Sequence, residues 1–313
     1  MRSTGLLILI FLSGICRAQL PEYYVYLVKG DITVQKPNKK TEKIKQKQLL
    51  FKEDILTLTK NSEVTLVNKD ANYLVLNTPG TIRASELGKK THDSYTGVTK
   101  KYMNLVWHEL LDPDYDLTKF KQQNLGGVWG GVSRGEACNN LIFPINGLKT
   151  SMDSVMFKWH KTSQTPDYTF YIYDGMGAEV VKMQVRDTIK TINLKQILSS
   201  RPGKYYWLVK SNDGSCEEEV PLYFEFMSRK DEAALVESLI QQVQYDDLIS
   251  ALDKLDRLEK NALILKASDY YTAVIKANPG NLPLMKSYIV FLFKYGFDAE
   301  AESAWQNLVQ APR

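Results

Sequence analysis

The chain has 313 residues, of which 44% are hydrophobic, and its formal net charge is +4. This length predicts two or three domains, and the hydrophobic content excludes a chain that is disordered throughout. The lysines of residues 36–47 are spaced among polar residues without interleaved aromatic residues, which indicates a solvated face and no nucleic-acid partner.

The N-terminus has the pattern of a cleaved signal peptide. Arg2 supplies a positive charge, Leu6 to Leu12 form an apolar core, and Cys16-Arg17-Ala18 is a small-x-small cleavage site before Gln19. The apolar run is too short to span a bilayer, and no later run is long enough. We therefore expect residues 1–18 to be removed and the mature chain to be exported without a transmembrane segment.

A second interpretation of the same segment makes Cys16 the lipidated cysteine of a bacterial lipoprotein. That cleavage needs a small residue before the cysteine, and Ile15 stands there.

Residues 19–98 predict an all-β domain, because short runs of β-branched and aromatic residues alternate with Gly, Asn, Asp and Pro. This region contains three short motifs: Val28-Lys29-Gly30-Asp31-Ile32, Asp54-Ile55-Leu56-Thr57 and Ser62-Glu63-Val64-Thr65-Leu66. They resemble the signature of the FecR-type β-domain. Classical FecR proteins also have a transmembrane helix and a cytoplasmic segment, so the resemblance implies the domain type and not a role in iron signalling.

Residues 99–135 predict an amphipathic helix followed by a glycine-rich linker. The helical part places Met103, Val106, Trp107 and Leu110 on one face, which we expect to pack against a neighbouring domain.

Residues 136–228 predict a β-sandwich. Val155, Phe157 and Trp159 alternate with Met156, Lys158 and His160, and further runs of period two follow. Trp159 and the later run from Gly203 to Trp207 resemble fibronectin type III or immunoglobulin-like domains of bacterial surface proteins.

Cys138 and Cys216 are the two cysteines that remain after signal cleavage, and they predict one disulfide in an exported chain. Zinc is the alternative for this pair, but it would need further ligands.

Residues 229–313 predict helices whose apolar residues recur at intervals of three and four. Ala267 and Tyr271 are repeated 34 residues later by Ala301 and Trp305, a spacing that resembles tetratricopeptide repeats. Met285 and Ile289 depart from that family, which makes the pair of units degenerate.

No pattern predicts a catalytic, cofactor or metal site. Residues 131–135 match the G-x-S-x-G elbow without its strand and helix, and the alternating Asp112, Asp114 and Asp116 lack the rest of a calcium loop. The three histidines share no spacing; they are His92, His108 and His160. Ser154 and Thr188 lie in D-S/T-aliphatic triplets, which predict O-glycosylation of the kind found in Bacteroidota envelopes.

The sequence thus predicts a multidomain β plus α protein: a FecR-like domain, an immunoglobulin/fibronectin-like sandwich and tetratricopeptide-like helical hairpins. The predicted function is a non-enzymatic, exported scaffold or adaptor in a cell-envelope assembly, periplasmic or associated with the outer membrane. The candidate docking surface consists of Tyr288, Phe291, Phe293 and Trp305. The alternative function is glycan or peptidoglycan binding by the first module, on Tyr23, Tyr24, Tyr26 and Tyr73.

Overall fold

The computed structural model describes residues 20–70, 72–88, 98–111, 141–160, 167–212, 220–240 and 248–310. The chain divides into two compact units, Met1–Asp93 and Ser94–Arg313. Among the described residues, strands dominate the first unit and residues 141–226 of the second, and helices dominate the C-terminal part, so the prediction of a mixed β plus α protein is confirmed.

The described residues of the first unit form two four-stranded antiparallel sheets. One has the order β4-β1-β6-β7 and the other β3-β2-β5-β8. A short helix, α1 (Ala84–Leu87), follows the last strand. The strands are β1 (Tyr23–Lys29), β2 (Ile32–Gln35), β3 (Thr41–Lys43), β4 (Leu49–Leu50), β5 (Ile55–Leu58), β6 (Glu63–Asn68), β7 (Tyr73–Leu76) and β8 (Gly80–Arg83).

Residues of two of the N-terminal motifs, Gly30 and Asp54, help to form turns in this unit. Gly30 joins β1 to β2 at a φ of 75°, and a Cβ atom there would lie 3.0 Å from the carbonyl oxygen of Asn61. Both facts favour glycine. Asp54 is fully buried; its Oδ2 accepts a hydrogen bond from the Phe51 amide and pairs with the Lys36 ammonium, each at 2.8 Å. These contacts assign the glycine and the aspartate to turn formation.

The second unit begins with helix α2 (Val98–Leu111) and continues with a sandwich of two sheets. The five-stranded sheet has the order β10-β16-β15-β12-β13, with β10 and β16 parallel, and the three-stranded sheet has the order β14-β11-β9. The strands are β9 (Leu141–Phe143), β10 (Leu148–Thr150), β11 (Ser154–Trp159), β12 (Tyr168–Tyr173), β13 (Glu179–Val185), β14 (Ile189–Asn193), β15 (Gly203–Ser211) and β16 (Leu222–Phe226), and helix α3 (Leu194–Ile197) follows β14.

Aromatic side chains fill the space between the two sheets. Val155, Phe157 and Trp159 are all buried, which confirms the alternation predicted for β11. The Phe157 ring lies 5.1 Å from the rings of both Phe170 and Trp207 in edge-to-face contacts. Such large buried rings supply much of the apolar area that stabilises a sandwich of this size.

In the described residues after the sandwich there are five further helices: α4 (Arg229–Ile240), α5 (Leu248–Lys260), α6 (Ile264–Ala277), α7 (Leu282–Lys294) and α8 (Asp298–Gln310). Helix α2 packs against α5 and α7, although more than a hundred residues separate it from them. Tyr102 of α2 is buried, and its hydroxyl accepts a hydrogen bond from Asn281 Nδ2 at 3.1 Å. Asn281 also caps α7, because its Oδ1 accepts from the Leu284 amide at 3.0 Å.

The helices are joined to the sandwich by specific polar contacts. Glu232 of α4 is buried and accepts hydrogen bonds from the amide and hydroxyl of Ser151, at 2.8 and 2.6 Å, while Lys266 lies 3.1 Å away. Lys158 of β11 donates to the carbonyl oxygen of Gly296, at 2.9 Å, and pairs with Asp298. The sandwich and the helices therefore form one compact unit through buried charge as well as apolar contact.

Gly296 lies between α7 and α8, and its φ of 75° suits the turn that joins them. The sequence does not reveal its second role. A Cβ atom at this position would lie 2.5 Å from Ile142 Cγ2 of the sandwich, so glycine also permits the close approach of the two layers.

Candidate functional site: a tyrosine face on the five-stranded sheet

Four tyrosines lie on the side of the five-stranded sheet that faces away from the sandwich core. They are Tyr171 and Tyr173 of β12, Tyr206 of β15 and Tyr223 of β16, and all four are partly exposed. Most of their neighbours along the strands are buried, since successive side chains of a strand point to opposite faces. We call these four residues the tyrosine face.

The strand register brings these tyrosines together. Tyr173 is the direct partner of Tyr206, and Tyr206 is the direct partner of Tyr223. The rings of Tyr171 and Tyr173 are 5.8 Å apart and nearly parallel, and those of Tyr206 and Tyr223 are 6.2 Å apart. The register therefore places the four tyrosines near one another on three adjacent strands.

Two lysines lie over these rings. The Lys204 ammonium is 3.9 Å from the centre of the Tyr223 ring and 5.2 Å from that of Tyr206, and Lys182 is 5.6 Å from the Tyr171 ring. The pKa of Lys204 is raised, first by interaction with the Tyr206 side chain and to a smaller degree by Tyr223 and Glu225. Cation–π attraction therefore favours the position of the ammonium group over the rings.

The turn between β12 and β13 continues directly from Tyr173. Asp174 Oδ1 accepts hydrogen bonds from the amides of Met176 and Ala178, both at 2.9 Å, which fixes the turn. Met176 is 93% exposed at its tip. A large apolar side chain is therefore presented to solvent by an ordered turn beside an aromatic surface.

The docking residues predicted from the sequence lie in the helical layer and not on the tyrosine face. Phe291, Phe293 and Trp305 are buried, and Tyr288 is partly buried. The Phe291 ring lies 4.9 Å from that of Tyr271, inside the helical layer. Because neighbouring helices and α2 cover this part of the chain, these side chains do not present an exposed surface.

Burial also removes part of the aromatic platform that the alternative function requires in the first module. Tyr23 and Tyr24 are only 4% and 5% exposed, Tyr26 is partly buried, and the side chain of Tyr73 lies outside the described residues. Tyr23 and Tyr24 therefore cannot offer their rings to a sugar in this structure.

Several other predicted residues lie outside the described part of the chain: Cys138, Cys216, Gly131 to Gly135, Asp112, Asp114, Asp116 and His92, together with residues 1–19 and the side chain of His108. The disulfide therefore stays a prediction, to be checked by peptide mapping without reductant. Of the predicted glycosylation residues, Ser154 is exposed at the start of β11 and Thr188 is partly exposed.

His160 is exposed at the end of β11. Within the described ranges, no group of three or more His, Cys, Asp or Glu side chains is arranged to hold a metal ion. None of the helices in those ranges combines the length and the apolar character needed to cross a bilayer.

The sequence contains a signal for the tyrosine face, but that signal is ambiguous. Tyr171, Tyr173, Tyr206 and Tyr223 occur at the alternate positions of strands whose other positions are also apolar. Such continuous apolar runs do not reveal which of two aromatic faces is covered.

No protein-family model and no curated protein matches this chain. A solved structure described as "Cell surface anchoring domain" resembles part of it, with 17% sequence identity and a TM-score of 0.22. The match covers 24% of this chain and 99% of that one. A TM-score of this size does not define a shared fold.

Proposed function

We propose that this chain is a non-enzymatic scaffold or adaptor of a bacterial cell-envelope assembly and that a partner protein binds its tyrosine face. The observation that carries the proposal is the cluster of four partly exposed tyrosines on adjacent strands. Tyrosine is enriched among the residues that dominate the binding energy of protein interfaces, because its ring buries much area and loses little conformational entropy on binding.

The way the second unit is built supports this role. The helices are attached to the sandwich through Glu232 and Lys158, so a partner bound to the sheet would be held at a defined position relative to them. In the proposal, residues 19–98 are a FecR-type β-domain, residues 136–228 an immunoglobulin/fibronectin-like sandwich, and residues 229–313 degenerate tetratricopeptide-like hairpins. The location, periplasmic or associated with the outer membrane, rests on the signal-peptide pattern that ends at Ala18.

A cleft of about 740 Å³ between the Ser151–Ser154 segment and α4 is the main competing site. Its charged groups already have partners within the chain. Glu232 is bound by Ser151 and Lys266, and Asp153 pairs with Arg229 at 3.0 Å. These groups serve the attachment of the helices, so the cleft offers a weaker case for a ligand than the tyrosine face does.

Site-specific crosslinking in the native host tests the proposal. A photoreactive benzophenone amino acid is introduced at position 206 or 223, with position 190 on the three-stranded sheet as the control. Lys190 is exposed but belongs to the other sheet. We expect the same protein, identified by mass spectrometry, to be crosslinked at 206 and 223 and not at 190. Adducts that are absent at both face positions, or equally abundant at 190, would contradict the proposal.

A further inference from the structure

The arrangement of the rings decides which of their groups a partner can reach. Tyr171 and Tyr173 stack on each other at 5.8 Å, and Lys204 lies 3.9 Å from the centre of the Tyr223 ring. Sugars and nucleobases stack on open ring faces, and here a neighbouring ring or an ammonium group already occupies one face of these rings. The surface therefore offers at most one open face of each ring, together with phenol edges and hydroxyl groups.

The charged residues on this side of the sheet are predominantly basic. Lys149, Lys182, Lys204 and Lys210 lie on the outward side of their strands, and two glutamates, Glu179 and Glu225, lie there with them. Among the described residues, no ion pair engages Lys182, Lys204 or Lys210. An acidic partner would complement this surface, whereas two copies of the chain meeting through the same face would bring like charges together.

A polar rim borders the aromatic surface. Gln184 and Asn212 are exposed and form, with the buried Thr169, a closed set of side-chain hydrogen bonds of 2.7 to 3.0 Å at the end of the sheet next to Lys210. An aromatic centre with an ordered polar rim is the usual organisation of a protein-binding surface.

We propose that the tyrosine face binds an acidic polypeptide segment of its partner. The partner's carboxylates pair with Lys182, Lys204 and Lys210, and its backbone and apolar side chains lie on the tyrosine edges and on Met176. This inference rests on the proposed adaptor function and specifies the chemistry of the partner.

The test uses the purified full mature chain and four polymers or surfaces. They are a random glutamate–tyrosine copolymer, polyglutamate, polygalacturonate and phosphatidylglycerol vesicles. The face variants are the charge reversal Lys182→Glu/Lys204→Glu and the truncation Tyr206→Ala/Tyr223→Ala. The matched control, Lys190→Glu/Lys276→Glu, changes the net charge equally at exposed positions outside the tyrosine face. Circular dichroism and thermal unfolding verify that every variant is folded.

We expect the glutamate–tyrosine copolymer to bind more tightly than polyglutamate, because only the copolymer can also contact the rings. Affinity should fall at least about tenfold in the charge reversal, as the loss of two surface ion pairs predicts. It should fall by a similar factor in the tyrosine truncation and stay within about twofold of wild type in the control. Binding should also weaken as salt is added.

Three results would overturn the inference. Tighter binding of polygalacturonate would assign the face to an acidic glycan, and tighter binding of vesicles would assign it to a membrane surface. If no probe binds while crosslinks still form at 206 and 223 in cells, the partner is a protein but not an acidic segment, so the adaptor function stands and this inference fails. If the copolymer binds but no crosslink forms in cells, the adaptor function itself fails.

Discussion

Helix α7 and the tyrosine face are both rich in aromatic residues, but they differ in how far those residues are exposed to solvent. Phe291 and Phe293 of α7 are buried among helices, with α2 packed against α7, whereas the tyrosines of the five-stranded sheet remain partly exposed. This difference in exposure arises from the chemistry of the side chains as well as from the elements that pack over them. Phenylalanine has no polar atom to satisfy, while a tyrosine hydroxyl can stay in water as its ring packs on the sheet. An aromatic cluster therefore indicates a binding surface only when no other element of the protein packs over it.

The largest expected effect comes from truncating one ring in each region. Phe291→Ala should lower the free energy of unfolding of the second unit by about 3–5 kcal/mol, because it leaves a cavity among the helices. Tyr206→Ala should cost less than about 1 kcal/mol, the range for a cross-strand aromatic pair on an exposed face. Urea unfolding followed by tryptophan fluorescence measures this unit alone, since all 5 tryptophans lie after residue 94. Equal losses of unfolding free energy in the two variants would contradict the difference in burial between α7 and the tyrosine face.

Removing the buried carboxylate that joins the helices to the sandwich should have the next largest effect. Glu232→Ala leaves Lys266 and the Ser151 hydroxyl without their partner, and we expect a loss of about 3 kcal/mol. Asp153→Ala breaks an exposed pair with Arg229 at the same boundary and should cost less than about 1 kcal/mol. The same urea experiment compares the two variants, and a Glu232 variant as stable as the Asp153 variant would argue against a structural role for the buried charge.

A smaller loss is expected where α2 covers the start of α7. Asn281→Ala removes the helix cap, worth about 1 kcal/mol, and also the hydrogen bond to the buried Tyr102 hydroxyl, worth about 1 kcal/mol more. Asn193→Ala is the control, because Asn193 caps the short helix α3 through the Gln196 amide. Hydrogen exchange of α2 should accelerate in the Asn281 variant alone. Unchanged exchange there would mean that Tyr102 does not depend on this contact.

The smallest effect concerns alkaline pH and the tyrosines inside the helical layer. Burial raises the pKa of both Tyr271 and Tyr295 above the ordinary value of 10.0, and the neighbouring Glu259 adds to the rise. Below pH 10.0 the stabilisation is fully present, and above it the unfolded chain releases protons that the folded chain retains, so stability falls as pH rises. Urea midpoints at about pH 8 and about pH 11 measure this slope. In the Tyr295→Phe variant the free energy of unfolding should fall less steeply with pH. An unchanged dependence on pH would show that Tyr295 does not contribute to it.

Much of the local structure could be predicted because it depends on neighbours in the sequence. The alternation of Val155, Phe157 and Trp159 predicts a strand with one buried side, and the structure confirms it. The apolar stripe of α2 likewise predicts a helix with one buried face, on which Met103, Val106 and Trp107 are indeed buried. Periodicity of this kind reports which residues share a face of an element.

The candidate site could not be predicted in the same way. The run from Tyr288 to Phe293 and the strand residues Tyr171 and Tyr206 are all apolar or aromatic in sequence. Whether these aromatic residues are buried depends on the element that packs over them. Helix α2, which packs over α7, is distant from it in the sequence. Tyr102 and Asn281, which join that cover to α7, are 179 positions apart.

The sequence by itself therefore determined the kinds of element, their order and the residues that share each face, since these follow from backbone geometry and short-range periodicity. Only the tertiary structure decided that α2 packs on the C-terminal helices, that Gly296 approaches the sandwich closely, and that the five-stranded sheet presents its tyrosines to solvent. The physical reason is that burial depends on contacts between segments distant in sequence, and the periodicity of a single segment carries no record of its partner.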